Sequence, residues 1–155
     1  MNDYCECKLD RPPNGPFYIR DLESSASLTY FKHNDGWLID DIQSKKAGCG
    51  KKLVREMATR IGVDQPVYLT CVIEPNTRAA LHHLGLLTKV EDSREALEFT
   101  DRNIIINLKM ARVLTGGGVN VERVRIYPWA DEARDDPMCN QDGCRVTVEM
   151  YGRTV

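Results

Sequence analysis

Apolar and polar positions follow a two-residue period up to Ile42 and a helical period soon after it. Phe17-Tyr18-Ile19-Arg20 is a short strand candidate. Ser27-Leu28-Thr29-Tyr30-Phe31 and Trp37-Leu38-Ile39-Asp40-Asp41-Ile42 are stronger ones, rich in aromatic and β-branched residues. Asn34-Asp35-Gly36 between them suits a tight hairpin, because Asn, Asp and Gly tolerate positive φ. The first forty residues therefore predict an antiparallel meander, entered by a loose lead-in over 1–16 that carries Arg11-Pro12-Pro13-Asn14-Gly15-Pro16.

Leu53, Val54, Met57, Ala58 and Ile61 then fall at helical spacing, and Gly62 is a natural C-terminal stop. Val67 to Ile73 is an almost unbroken apolar run, which predicts a strand covered on both faces. Glu74-Pro75 ends it, Asn76 is a cap for a short helix through Leu84, and Gly85 closes that helix. Strand, helix, strand, helix in this order implies a crossover and a parallel strand pair. Further on, Asn103 to Met110 reads as a strand and Leu114-Thr115-Gly116-Gly117-Gly118 as a flexible break. Val119 to Ile126 and Cys144 to Tyr151 alternate as the two arms of a terminal hairpin.

Composition narrows the class. The chain has 155 residues, 42% hydrophobic and 28% charged, which suits one folded domain over 1–155. A net charge of -2 and a pI of about 5.9 give no basic surplus, so nucleic acid is not the expected partner. No apolar run reaches the roughly 20 residues of a membrane span. The N-terminal Met1-Asn2-Asp3-Tyr4 lacks a secretory pattern, so a cytoplasmic location with no membrane partner is expected.

The candidate chemistry lies where the period changes. A strand ending near Ile42 feeds a loop with two glycines, and an amphipathic helix follows directly. The first turn of a helix leaves backbone N–H groups without partners and carries the positive end of the dipole. Glycines there let a diphosphate approach closely. Lys45, Lys46, Lys51 and Lys52 add positive charge where the dipole alone would favour acids. An anionic ligand accounts for that; a glycine loop with solvated lysines is the plainer alternative. Two nucleotide motifs fail here. A Walker A loop needs a hydroxyl residue after Gly50-Lys51, and Lys52 stands there. The dinucleotide fingerprint needs a third glycine where Leu53 stands.

Lys45-Lys46-Ala47-Gly48-Cys49-Gly50 resembles the Gln/Arg-x-x-Gly-x-Gly/Ala turn of the GNAT superfamily of N-acetyltransferases, with Lys45 at the Gln/Arg position. Asn76-Thr77-Arg78-Ala79 resembles the family's Asn-x-x-Ala segment, and His82-His83-Leu84-Gly85-Leu86 its closing Tyr-x-x-x-Gly-Phe stretch. The resemblance covers roughly residues 27–90, the expected cofactor core. It implies an acetyltransferase-like α/β fold with a mixed sheet, splayed central strands, two main helices and trimmed N-terminal helices. A C-terminal hairpin over 116–155 is expected as an extension that would cover the acceptor side or form a homodimer.

The same resemblance implies acetyl-CoA as cofactor and an amine of a small molecule or protein as acceptor. The diphosphate is expected on the amides of Gly48, Cys49, Gly50 and Lys51. Ile42, Gln43, Cys71 and Ile73 are expected along the pantetheine, with Asp41 at the start of that lining and Asn76 on the cofactor arm. The acceptor amine attacks the thioester, and a backbone amide stabilises the oxyanion. His83 stands where the family's acid Tyr is usual, with His82 as the alternative because Gly85 comes two residues early. Asp40 and Asp41 are the candidate bases; strand alternation predicts that they face opposite sides. Surface histidines and strand-end carboxylates are the alternative for all four.

The six cysteines supply a rival feature. Cys5, Cys7, Cys139 and Cys144 form two pairs that would hold structural zinc if the termini meet, although neither spacing is the usual one. Cys49, at a helix start, is a weaker nucleophile candidate with no oriented base in view. A non-catalytic protein-interaction module on the same fold, zinc-stabilised or not, is therefore the competing function.

Overall fold

The computed structural model describes residues 4–6, 16–44, 46–73, 77–127 and 147–155, with the backbone alone at 4–6 and 70–73. Eight strands and five helices alternate among these residues. The strands are β1 (Tyr4–Glu6), β2 (Phe17–Asp21), β3 (Ser27–His33), β4 (Gly36–Gln43), β5 (Pro66–Ile73), β6 (Leu97–Phe99), β7 (Val119–Tyr127) and β8 (Thr147–Thr154). The helices are α1 (Cys49–Ile61), α2 (Thr77–His83), α3 (Leu87–Glu91), α4 (Arg102–Ile105) and α5 (Lys109–Gly116). Hydrogen-bonded neighbours in the mixed sheet run β1-β2-β3-β4-β5-β8-β7-β6. The chain divides into two compact units, 1–69 with 113–120 and 151–155, and 70–112 with 121–150.

In the first unit, β2, β3 and β4 form the predicted antiparallel meander. Asn34 takes a positive φ of 52° in the turn that joins β3 to β4. Tyr4–Glu6, inside the stretch read as a lead-in, pairs antiparallel with β2. β4 and β5 run parallel, from Trp37↔Val67 to Ile39↔Leu69, as a strand–helix–strand order requires. Alternation gives the sheet of this unit two unlike faces. Ile19, Leu28, Tyr30, Ile39, Val67 and Leu69 are buried. On the other face Tyr18, Phe31, Leu38, Tyr68 and Tyr151 stay half-buried. α1 packs on β2 and β3. It buries Leu53, Val54 and Met57, each worth about 1.5–3 kcal/mol when fully removed from water. Gly62, at φ 95°, ends it as predicted.

The register of β3 on β4 shifts between Thr29 and Tyr30, which pair with Asp41 and Ile39 and leave Asp40 as an extra residue. This β-bulge breaks the two-residue period that placed Asp40 and Asp41 on opposite faces. Both are exposed.

The second unit departs further from expectation. The strand predicted over Asn103 to Met110 is instead α4 and the start of α5. Asp101 begins this helical stretch, its side chain accepting a hydrogen bond from the Asn103 N–H at 2.8 Å. Ile105, Leu108, Ala111 and Leu114 are buried at three-residue spacing, a period that would put alternate members on opposite faces of a strand. The expected flexible break also dissolves, because Leu114 to Gly116 complete α5. β6 pairs antiparallel with β7 from Leu97↔Ile126 to Phe99↔Val124. An Arg78–Glu91 ion pair joins α2 to α3. β8 neighbours β7 in the sheet, and Tyr127 donates to Glu149 at 2.8 Å, while the loop expected between the two arms lies outside the described residues.

Candidate functional site

Everything that distinguishes the Gly48 turn is local and lies in the first unit. Ser44 Oγ donates to the Lys46 carbonyl at 2.9 Å, and the Cys49 N–H donates to the same oxygen at 3.3 Å. These two bonds close the loop tightly on the start of α1. Gly48 is the N-cap, at φ 85° and ψ −16°, with no side-chain cap. That left-handed conformation costs an L-residue roughly 1–2 kcal/mol, which is why glycine stands there. The Lys52 N–H reaches back to the Gly48 carbonyl at 3.3 Å. Among the described residues, the amides of Gly50 and Lys51 meet no acceptor.

Charge and space match those free amides. The first turn of α1 holds no acid, and Lys46, Lys51 and Lys52 are exposed. A Cβ built on Gly48 meets no atom within 4 Å, so the space over the turn is open. A diphosphate would find unpaired N–H groups, the positive end of a helix dipole and lysines in one place. The residues present fit such a group.

The two glycines of the turn serve different ends. Gly48 is exposed and conformationally required. Gly50 is buried, and a Cβ there would lie 3.2 Å from Val113 Cγ1 of α5. Its missing side chain thus admits α5, while its backbone amide stays unpaired among the described residues. Cys49 is also buried, at 6% exposure, which removes the accessible thiol a nucleophile requires; only its backbone remains available for a ligand.

The other predicted positions divide as follows. Ile42 is half-buried and Gln43 exposed, at the end of β4. Gln43 Nε2 donates to Asp41 Oδ2 at 2.9 Å, so Asp41 is held while Asp40 sits on the bulge. His82 and His83 are exposed in the last turn of α2, in the second unit, where Gly85 closes the helix at φ 72°. Cys71 and Ile73 belong to β5 by their backbone. Lys45, Asn76, Cys7, Cys139 and Cys144 lie outside the described residues, and Cys5 belongs to β1 by its backbone.

Sequence reasoning missed the contribution of α5. Its end packs on the first half of α1, where Arg55 Nη2 donates to the Gly116 carbonyl at 2.8 Å. A cation on a carbonyl at a helix C-terminus is doubly favourable, by hydrogen bond and by dipole. The signal was present in Gly116-Gly117, two adjacent residues able to admit a neighbouring helix. A groove of about 550 Å³ follows the other half of α1, lined by Arg55, Ala58, Thr59, Gly62, Val63, Gly116 to Gly118, Thr115 and Val155. It does not include the turn.

Among the described residues no group of three metal-ligating side chains occurs, and no helix is long and apolar enough to cross a membrane. No family model matches this chain, and neither a curated protein nor a solved structure is significantly similar to it.

Proposed function

We propose that this protein is a CoA-dependent N-acyltransferase whose Gly48 turn holds the cofactor diphosphate. One observation carries the reading: an open, left-handed glycine turn enters a helix whose first turn has unpaired amides, exposed lysines and no acid. The resemblance of Lys45 to Gly50 and of Asn76 to Ala79 to the GNAT superfamily motifs supports it, as does the parallel β4–β5 pair linked through α1.

In this reading the amides of Gly50 and Lys51, with Lys46 and Lys52 around them, bind and orient the diphosphate. Acetyl-CoA brings the activated acyl thioester. The acceptor amine forms the new C–N bond as the C–S bond breaks. Its proton goes to Asp40 or Asp41, and the sulfur departs as the CoA thiolate, which takes a proton from solvent. Asp40 is the better base of the two, because Asp41 already accepts from Gln43.

A second reading, a partner-binding module on the same fold, draws on the half-buried aromatic face of the first unit. Phe31 pairs with Leu38, Leu38 with Tyr68, and the Tyr68 ring lies 5.0 Å from Tyr151. Apolar rows of this kind mark interaction surfaces when they extend far enough.

Thermal unfolding with ligands separates the two. The enzyme gains stability from acetyl-CoA and from CoA but not from adenosine, which lacks the diphosphate. A protein indifferent to all three at millimolar concentration is not a CoA enzyme.

A further inference from the structure

The glycines at the end of α5 are not a hinge. Neither Gly116 nor Gly117 takes a positive φ, so their backbone does not require glycine. What requires it is α1. A Cβ on Gly116 would lie 2.7, 3.0 and 3.1 Å from Lys51 Cδ, Cε and Cγ. The Lys51 stem therefore lies flat on the bare backbone of Gly116.

That seat has a direction. Side chains of a helix lean in general toward its N-terminus, and for Lys51, third residue of α1, that is the side of the Gly48 turn. Behind it, one turn further along α1, Arg55 is pinned by its bond to the Gly116 carbonyl. Two cations four residues apart on a helix repel. The fixed guanidinium thus disfavours the Lys51 ammonium on its own side, and the glycine seat leaves the turn side free. The resulting arrangement concentrates positive charge at the positive end of a helix dipole, which is unfavourable until an anion arrives.

We infer that Gly116 is a positioning residue: it seats the Lys51 stem so that the ammonium is held ready for the anion bound at the Gly48 turn. This rests on the diphosphate reading above, and it adds that the α5 end sets how tightly that anion is held.

The test is a double-mutant cycle of Gly116→Ala and Lys51→Met, each titrated with CoA and separately with inorganic pyrophosphate. Alanine is the better helix former, and the methyl displaces only the flexible end of an exposed side chain, so Gly116→Ala leaves the unfolding temperature unchanged or higher. Its affinity for CoA and pyrophosphate nonetheless falls about three- to ten-fold, the scale of one charge-assisted contact. Lys51→Met falls equally, and adding Gly116→Ala to it changes affinity less than about two-fold, because the residue it positions is gone. An undiminished affinity in Gly116→Ala, or a full further loss in the Lys51→Met background, overturns the inference. If the wild-type protein binds pyrophosphate in this Lys51-dependent way but not CoA, the acyltransferase reading fails and the seat stands. If it binds neither, both fail.

Discussion

Replacing Gly48 by alanine separates two costs that the geometry keeps distinct. The first is conformational. At φ 85° an added Cβ meets no protein atom within 4 Å, so no packing clash contributes. What remains is the left-handed backbone, about 1–2 kcal/mol for an L-residue. A domain of this size loses roughly 2–4 °C per kcal/mol, so the variant should unfold about 2–8 °C below wild type. Asparagine, which tolerates this region better, should lose less. The second cost appears only with ligand. Acetyl-CoA at a hundred times its Kd stabilises wild type by about 2.7 kcal/mol, or roughly 5–11 °C on the same scale. The alanine methyl enters the open space above the turn, where the diphosphate is expected, and should remove most of that shift. Differential scanning fluorimetry with and without acetyl-CoA reads both terms. A variant that unfolds with wild type refutes the left-handed turn, and one that keeps the full ligand shift refutes the diphosphate site.

Two further predictions concern the frame that holds the turn. A Cβ on Gly117 would lie 2.5 Å from Val54 Cβ and 2.9 Å from the Lys51 carbonyl, contacts with atoms that cannot swing aside; Gly117→Ala should therefore cost about 1–3 kcal/mol in urea unfolding, and a neutral result would deny that α5 packs on α1 so closely. Asp21, buried beside the β2–β3 turn, has its pKa lowered chiefly by the Ser24 hydroxyl at 2.7 Å, then by the Glu23 N–H and the charge of Lys52, with burial opposing. Because the folded pKa lies below the unfolded one, this stabilisation is present above the ordinary carboxylate pKa of about 3.9 and is lost as pH falls through the folded value. Asp21→Asn should remove that share of the acid sensitivity in unfolding measured between pH 7 and pH 3, and an unchanged pH profile would show that Asp21 does not titrate differently on folding.

Local signals were legible wherever one physical cause decided an element. The β2–β4 meander follows from aromatic and β-branched alternation with Asn34 in its turn, and α1 from a single apolar stripe ended by Gly62. Ile104, Ile105 and Ile106 misled because β-branching favours a strand, whereas the capping carboxylate of Asp101 and the spacing of Ile105, Leu108 and Ala111 decide for helix. The bulge at Asp40 could not be read, since it depends on how β3 and β4 register rather than on either strand alone. The turn itself was found from Gly48 and its lysines. What escaped was the reason for its second glycine, because Gly50 answers to Val113, sixty-three positions later and on another element. Gly116 and Gly117 were misread for the same cause: a glycine run looks like a hinge until the neighbour that needs the space is known.

The most direct test is amide mapping on isotopically labelled protein titrated with acetyl-CoA. Saturable shifts centred on the amides of Gly48, Cys49, Gly50 and Lys51, with matching shifts from pyrophosphate, are the predicted result. Shifts confined to the groove along Ala58, Thr59 and Gly62, or none at saturating ligand, would contradict it.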